Sequence, residues 1–284
     1  MSLETLIVAI VDGIALGATL FMISSGLSLI FGLMGIVNFA HGSLFMLGAY
    51  IGYEVFSSTN SLALGLAAAT ASMSLLGGTI ESGLLKRKSG DVLGQALITI
   101  GVMLLLDRTA WIIWGETTYK WVPDSLKGVI ELGGIIFYEY RLFLIAFGAV
   151  IAAAVFSFLK YTNYGTIIRA AIEDREMVEA LGIDVRKTFT ITFILGSGLA
   201  GLGGAVLVPW LGVYPTLGIT YLLYAFAIVV IGGIGSFTGT LAASLLVGVT
   251  QQLAAYYVPW LAEATIFILM LAVLLLRPEG LVRG

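Results

Sequence analysis

Two apolar stretches of this chain are interrupted by glycines and by neutral hydrogen-bonding side chains. The first interruption carries Asn38, His41, Gly42 and Ser43. The second carries Gly232, Gly233, Gly235, Ser236, Thr238 and Gly239. Amide, imidazole and hydroxyl groups exchange hydrogen bonds with a polar solute without adding a carboxylate or ammonium charge. If the stretches are membrane helices, such interruptions in the two halves of the chain point to a solute pathway, because freed backbone groups are tolerated only beside a cavity or inside protein.

Close helix packing is the alternative interpretation of the same residues. Glycine lets two membrane helices approach each other, as the spacing of Gly196, Ala200 and Gly204 also suggests. The residues by themselves favour neither interpretation. For His41 we expect a capping or pore-lining hydrogen bond rather than a proton relay, because a relay needs carboxylate partners nearby.

The sequence lacks the residues that most enzymes and cofactor sites need. It has no cysteine and a single histidine, so thiolate chemistry is excluded and a histidine metal site is not expected. It has no Gly-Lys pair, so the phosphate-binding loop of ATPases is absent, and no metalloprotease or serine-hydrolase motif occurs. A net charge of −3 offers no basic surface for nucleic acid. We therefore expect neither an enzyme nor a cofactor or metal in this chain.

The composition is that of a membrane protein. Of the 284 residues, 59% are hydrophobic and 11% are charged, and residues 13–53 and 188–262 contain no Asp, Glu, Lys or Arg. A water-exposed surface cannot be built from such stretches, whereas a bilayer crossing takes roughly 20 apolar residues. The sequence predicts an all-α polytopic membrane protein with a single transmembrane domain, 1–284.

Nine apolar segments define the expected crossings. They cover residues 5–24, 27–56, 61–83, 92–115, 141–159, 188–208, 221–234, 238–256 and 259–276. The count falls to seven if 221–256 forms a re-entrant hairpin. In short loops Lys and Arg stay on the cytoplasmic side, and ten of the 14 fall on one side. These are Lys86, Arg87, Lys88, Lys160, Arg169, Arg175, Arg186, Lys187, Arg277 and Arg283. The N-terminus is then outside and the C-terminus is cytoplasmic.

Two loops are long enough to have structure of their own. The outer loop, 116–140, should contain short extended stretches around turns, including one at Gly133-Gly134. The cytoplasmic loop, 160–187, predicts a short amphipathic helix that ends at Gly182 and has no partner for its apolar stripe. The stripe comprises Ala170, Met177, Val178 and Leu181, and the charged residues on the rest of the helix are Glu173, Asp174, Arg175, Glu176 and Glu179.

Ionisable residues inside the apolar segments are few. For Asp107 and Arg108 we expect a locally compensated pair that faces the bundle rather than a transport role. A carrier driven by protons or sodium would normally place carboxylates near the membrane midplane. The scarcity of such groups argues against a secondary transporter.

Several stretches of the sequence resemble those of one family. The run from Gly26 to Tyr50, which contains Asn38-Phe39-Ala40-His41-Gly42, and the loop from Arg169 to Asp184 resemble the membrane subunits of branched-chain amino acid ABC importers. The similarity extends over nearly the whole chain. The outer loop, 116–140, departs from it.

The resemblance implies a complex of several subunits in the cytoplasmic (inner) membrane of a bacterium or archaeon. It implies a second, related permease subunit, two cytoplasmic ATPase subunits that bind ATP and magnesium, and a periplasmic or surface-tethered solute-binding protein. It also implies that the segment Arg169 to Gly182 is the helix that couples the permease to the ATPase. The coupling residues would be Arg169, Glu173, Asp174, Arg175, Met177, Val178, Glu179, Leu181 and Gly182.

The expected function is that of the permease subunit of an ATP-driven importer, with leucine, isoleucine and valine as the first choice of solute. Urea, short amides and other amino acids remain open as solutes. The alternative from another class is a stand-alone secondary carrier or channel for small neutral or zwitterionic solutes.

Overall fold

The chain is almost wholly α-helical, and the computed structural model describes residues 3–282. Its helices are α1 (Leu3–Met34), α2 (Ala40–Thr59), α3 (Leu62–Gly83), α4 (Val92–Trp114), α5 (Glu139–Tyr161), α6 (Asn163–Glu173), α7 (Arg175–Ala180), α8 (Val185–Leu211), α9 (Leu217–Gly232), α10 (Phe237–Tyr257) and α11 (Thr265–Leu276). Two short strands, β1 (Val129–Leu132) and β2 (Ile135–Tyr138), lie between α4 and α5. Arg283, one of the predicted cytoplasmic cations, lies outside the described residues.

Five helices in the described range are long and apolar enough to cross a membrane: α1, α3, α4, α5 and α8. Helices α9 and α11 are apolar but shorter. This pattern supports a polytopic helical membrane protein. The count of nine crossings and the orientation stay predictions.

The predicted boundary between the first two segments, at residues 25–26, is wrong. Helix α1 continues through Gly26 to Met34, so the first interruption lies at 35–39. A glycine inside a helix costs about 1 kcal/mol relative to alanine, and here Gly26 contacts α8 closely. A Cβ atom on Gly26 would lie 2.4 Å from the Gly196 carbonyl oxygen. Contact with α8 therefore keeps α1 helical at residues 25–26, where the composition alone suggests that the helix ends.

Alternation of the long helices places the loops at two ends of the bundle. The end where the predicted cytoplasmic cations lie is called the inner end. It contains residues 35–39, 84–91, 162–184, 233–236 and 277–282. The outer end contains 115–138, 212–216 and 258–264. Helices α1 and α8 are buried over most of their length, with α2 and α9 beside them.

The outer end is closed by a loop that folds over the helices. Strands β1 and β2 form an antiparallel hairpin with positive φ at Gly133 and Gly134, which confirms the extended stretches expected around that turn. Further along the loop, the backbones of Tyr119 and Val213 exchange hydrogen bonds of 2.9 and 2.8 Å. The Trp121 ring stacks on Phe56 at 5.1 Å. The predicted outer loop is thus attached to the ends of α2 and α8.

A buried ionic cluster joins α1, α5 and α10 near the outer end. The Arg141 guanidinium pairs with the Asp12 carboxylate, which is 3% exposed. The Tyr256 hydroxyl donates a hydrogen bond of 2.9 Å to the same Asp12 oxygen. Arg141 also lies 4.7 Å from the Tyr138 ring centroid and 5.4 Å from that of Trp210. Buried charges are tolerated when they are paired and hydrogen-bonded in this way.

Candidate functional site

The first interruption, residues 35–39, turns the chain from α1 into α2 with Gly35 at φ +67°. A side chain of α4 satisfies part of its backbone, because the Phe39 amide donates to Thr99 Oγ1 at 3.2 Å. The Asn38 carbonyl accepts a hydrogen bond from the His41 amide at 3.1 Å and so starts α2. The turn is thus held by α4 and by its own first helical turn.

The polar side chains of this interruption are buried. Asn38 and His41 are both 0% exposed. His41 Nε2 lies 2.9 Å from the Ile23 carbonyl oxygen, which can only accept, so this nitrogen carries the proton. His41 Nδ1 and both amide atoms of Asn38 have no hydrogen-bond partner within residues 3–282. A buried polar group without a hydrogen-bond partner costs about 1–3 kcal/mol of stability. A polar ligand that formed hydrogen bonds with these three atoms would therefore be stabilised here.

Ser43 and Gly42 make different contacts. Ser43 Oγ donates to Asp107 Oδ1 of α4 at 2.6 Å. Gly42 lies at the crossing of α2 and α9, where a Cβ atom would approach the Gly218 carbonyl oxygen to 2.2 Å. Close packing is therefore what the structure shows at Gly42, while its place in a pathway stays a prediction.

The expectation that Asp107 and Arg108 both face the bundle is confirmed only for Asp107. Asp107 faces the bundle and takes the Ser43 hydroxyl, whereas Arg108 is exposed on the far side of α4. No ion pair joins them among the described residues. Successive residues on a helix point about 100° apart, so neighbours cannot share one face.

The second interruption, residues 233–236, turns α9 into α10. Gly233 and Gly235 have φ of +100° and +77°, values that favour glycine. Ser236 caps α10, because its Oγ accepts the Gly239 amide at 3.2 Å. The two helices cross closely at this point, since a Cβ atom on Gly239 would lie 1.9 Å from the Gly232 carbonyl oxygen.

The second interruption lies against the end of α1. A Cβ atom on Gly32, at the end of α1, would lie 2.6 Å from the Gly235 Cα atom. Segments about 200 residues apart in sequence therefore form one region around the end of α1.

The C-terminal segment belongs to the same region. The amides of Leu281 and Val282 donate to the carbonyls of Ile231 and Gly232 at 2.8 and 3.2 Å. They satisfy the last carbonyls of α9, which would otherwise lack partners. Gly280, at φ +85°, lies against Gly233. The sequence alone assigns this segment no role, although Pro278 and Gly280 are residues typical of a turn.

The cytoplasmic loop does not form the single amphipathic helix that its sequence suggests. It forms two helices, α6 and α7, that meet at Asp174, whose side chain caps α7 by accepting the Met177 amide at 2.9 Å. Helix α7 stops before Gly182, which has φ +80°. The predicted stripe is therefore divided between two helices that point in different directions.

The division changes which apolar residues of the loop face outward. Val178 is 3% exposed and belongs to an apolar cluster with Leu29 and Leu33 of α1. Met177 and Leu181 are 58% and 71% exposed. The expectation that the loop has nothing to bury itself against is wrong, because Val178 and the apolar face of α6 are covered by α1 and α8. Only Met177 and Leu181 of the predicted large apolar residues are free on the surface.

Charged residues of the loop lie on the surface of both helices. Arg175 pairs with Glu179 at 2.9 Å and lies 4.8 Å from the Phe189 ring centroid. Arg169 and Glu173 of α6 are exposed and have no ion pair within residues 3–282. Arg175 is therefore held against α8, whereas the α6 charges are available to a ligand or partner.

A cavity of about 400 Å³ connects the loop to the second interruption. Its lining residues are Leu29, Phe156, Leu159, Lys160, Ile168, Arg169, Ile172, Glu173, Gly235, Ser236, Phe237 and Thr238. Three of these residues, Gly235, Ser236 and Thr238, are predicted for the solute pathway. Two others, Arg169 and Glu173, are predicted for coupling to the ATPase. None of residues 38–43 lines it, so the first interruption is separate from this cavity.

Comparison with known proteins identifies the family. A family model described as "Branched-chain amino acid transport system / permease component" matches residues 9–274. The chain belongs to this family. It is therefore a permease component rather than a member of an enzyme family, and a multi-pass protein of the cytoplasmic membrane.

Individual relatives match over nearly the full length. The high-affinity branched-chain amino acid transport system permease protein LivH of Escherichia coli K12 is 27% identical over 95% of this chain and 93% of its own. BraD of Pseudomonas aeruginosa, with the same description, is 28% identical over 96% and 94%. A probable branched-chain amino acid transport permease of Methanocaldococcus jannaschii is 27% identical over 92% and 88%.

A solved structure shares the fold. PsaBC from Streptococcus pneumoniae in complex with Fab matches with a TM-score of 0.51 over 93% of this chain and 89% of that chain, at 13% identity. At this identity the match supports the helical architecture and carries no conclusion about solute or partners.

Proposed function

We propose that this permease is a subunit of an ATP-driven importer that moves branched-chain amino acids into the cytoplasm. Membership of the permease family supports the transport of such solutes. The observation that carries the ATP-driven part is α7, a short helix at the inner end that exposes Met177 and Leu181 while Val178 anchors it to α1. A protruding apolar pair on an anchored helix suits a groove on a partner protein.

The partners of the proposed complex are a second, related permease subunit, two cytoplasmic ATPase subunits and a periplasmic or surface-tethered solute-binding protein. ATP and magnesium are bound by the ATPase subunits in this proposal. The charges of α7 flank the exposed apolar pair, so they would set the orientation of docking more than its affinity.

The proposed solute pathway passes between the two interruptions. The unpartnered atoms of Asn38 and His41 would meet the polar groups of the solute, and the segment 233–236 would meet them nearer the cytoplasm. Movement of the loop would reach both, because α6 and α7 pack on Leu29 and Leu33 of α1 and Gly32 contacts Gly235. Neutral polar groups suit a zwitterion that carries an apolar side chain.

The coupling assignment is tested by Leu181→Asp. Removing a leucine side chain that a partner's apolar groove would cover costs about 2 kcal/mol of binding free energy. A carboxylate buried in its place adds to that cost. We expect ATPase subunits to co-purify at least about tenfold less and uptake into vesicles to fall in proportion, with normal membrane insertion.

Leu84→Asp is the matched control, since Leu84 is 43% exposed at the same end but lies outside the loop. It should leave co-purification unchanged. Full co-purification and uptake by Leu181→Asp would contradict the coupling role. A purified chain that transports alone in liposomes without ATP would show instead that the protein is a stand-alone carrier or channel.

A further inference from the structure

The cavity between α1, α5, α6 and the start of α10 has the features of a small-molecule site. Its volume of about 400 Å³ falls within the range of about 300–1,000 Å³ that is common for such sites. Leu29 and Leu159 are 4% and 6% exposed, and Ile168 is fully buried. These residues give the cavity an apolar wall of aliphatic side chains.

Charges of both signs lie on the same cavity. Arg169 and Glu173 are one helical turn apart on α6 and both line it. A cation that precedes a carboxylate by four residues is the less favourable order for a helical ion pair, and the two form none in the described part of the chain. Lys160 also lines the cavity, but its ammonium lies 5.5 Å from the Phe156 ring centroid and 5.3 Å from that of Tyr161. The guanidinium and the carboxylate of α6 have no ion-pair partner among residues 3–282 and are thus available to a ligand, with the Lys160 ammonium as a second cation.

The start of α10 adds hydrogen-bond donors to the cavity. Ser236 and Thr238 line the cavity, and the Thr238 amide belongs to the first turn of a helix of 21 residues. Amides of a first turn carry partial positive charge and favour a carboxylate. Arg169 and the first turn of α10 therefore each suit an anion, while Glu173 suits a cation.

We propose that this cavity binds a free amino acid with an aliphatic side chain from the cytoplasmic side, with Arg169 at its carboxylate and Glu173 at its ammonium. The identity of the ligand as the transported solute rests on the proposed function. Because α6 forms one wall and continues into α7, an occupied cavity holds the proposed coupling loop against α1. Bound product then slows further import, which is feedback by the solute on its own permease.

A binding measurement tests the site directly. The transport complex is purified in nanodiscs without the solute-binding protein, and radiolabelled L-leucine is added in equilibrium dialysis. We expect saturable binding that weakens at least about tenfold in Arg169→Gln and in Glu173→Gln. Arg186→Gln, an exposed cation at the same end that does not line the cavity, should bind within about twofold of the wild type.

Two leucine analogues identify the chemical class of the ligand. Isocaproate lacks the ammonium group and isopentylamine lacks the carboxylate, and each should compete at least about tenfold more weakly than leucine. Equal competition by either analogue would overturn the zwitterion assignment. Retention of phosphatidylglycerol that is lost in Arg169→Gln, without leucine binding, would show a lipid site and overturn the proposal.

Feedback is measured in proteoliposomes whose interior faces the cytoplasmic side. With ATP enclosed and the binding protein outside, preloaded leucine should lower the initial uptake rate several-fold in the wild type. The ratio of loaded to empty rates should return to about one in the two variants. If a variant does not transport, the dialysis result decides.

These outcomes separate the two proposals. Robust ATP-driven uptake with no charge-dependent leucine binding would overturn the cavity site and leave the importer intact. Charge-dependent binding by a complex that does not import leucine would contradict the importer and leave the site in place.

Discussion

The Asn38 and His41 side chains at the interruption between α1 and α2 are buried in the bundle, whereas the interruption between α9 and α10 borders a cavity. Asn38 and His41 have no exposed surface, while Ile234 is 50% exposed and Thr238 lines the cavity. A solute could reach the second interruption from the inner end without any helix moving. It could reach Asn38 and His41 only if helices of the bundle separate. Two similar glycine-rich patterns thus give a closed region and an accessible one.

The largest effect that would test this difference is expected at Gly42. Gly42→Leu places a side chain against the Gly218 carbonyl, 2.2 Å from the Cβ position, and against Leu222 at 2.7 Å. Overpacking usually costs 1–3 kcal/mol, and a clash with backbone that cannot give way lies at or above the top of that range. We expect the folded chain to be nearly lost, as measured by size-exclusion chromatography of the solubilised protein.

Gly101→Leu is the control for that substitution, because a Cβ atom on Gly101 meets nothing within 4 Å. It should accumulate as the wild type does. If Gly42→Leu also folds and assembles, the closed packing around the first interruption is not present in the membrane.

An intermediate effect is expected at Asn38. Asn38→Leu removes an amide that has no partner among residues 3–282, so the folded state loses no hydrogen bond and the melting temperature should not fall. If the amide meets the solute when the helices separate, uptake should fall at least about tenfold because a polar contact in the pathway is lost. Solute uptake and melting temperature are measured on the same preparation.

Gln95→Leu serves as the opposite case for Asn38. Gln95 is buried and its amide donates to the Leu85 carbonyl at 3.2 Å. Loss of this hydrogen bond should lower the free energy of unfolding by about 1 kcal/mol and leave solute uptake by the folded fraction unchanged. Unchanged uptake by Asn38→Leu would place the pathway elsewhere and leave the first interruption a packing device.

The smallest effect concerns the segment that closes the second interruption. Gly280→Ala has an unfavourable φ of +85° and a Cβ atom 2.6 Å from the Gly233 amide nitrogen. Gly134→Ala has nearly the same φ, +84°, but its Cβ meets nothing within 4 Å. The difference in unfolding free energy between the two variants isolates the contact, and we expect about 1–3 kcal/mol. Equal destabilisation would mean that the C-terminal segment does not support α9.

Some features of the fold could be predicted from local residues. The Gly133-Gly134 turn and the interruption at 233–236 follow from glycines that need positive φ, and both are confirmed. The interruption near Asn38 was also predictable, but the continuation of α1 through Gly26 was not, because it depends on contact with Gly196 of α8. Local sequence shows that a glycine is present, not what packs against it.

The loop and the cavity show the same limit. Asp174 is a good helix cap, so the division into α6 and α7 had a local signal that the regular spacing of charged and apolar residues concealed. The burial of Val178 had none, since it depends on Leu29 and Leu33 of α1. The cavity is assembled from four separate segments of the chain, so no spacing within one segment could predict it.

Helix α1 has a mechanical consequence. It runs unbroken past both Asp12 and Gly32, which lie about 30 Å apart at 1.5 Å per residue. Helix α1 therefore takes part both in the ionic cluster with Arg141 near the outer end and in the contact with Gly235 at the inner end. A displacement of its inner end must either tilt the helix, which strains the Asp12–Arg141 pair, or bend the helix. Force applied at one face of the membrane is thus transmitted to the other through a single helix.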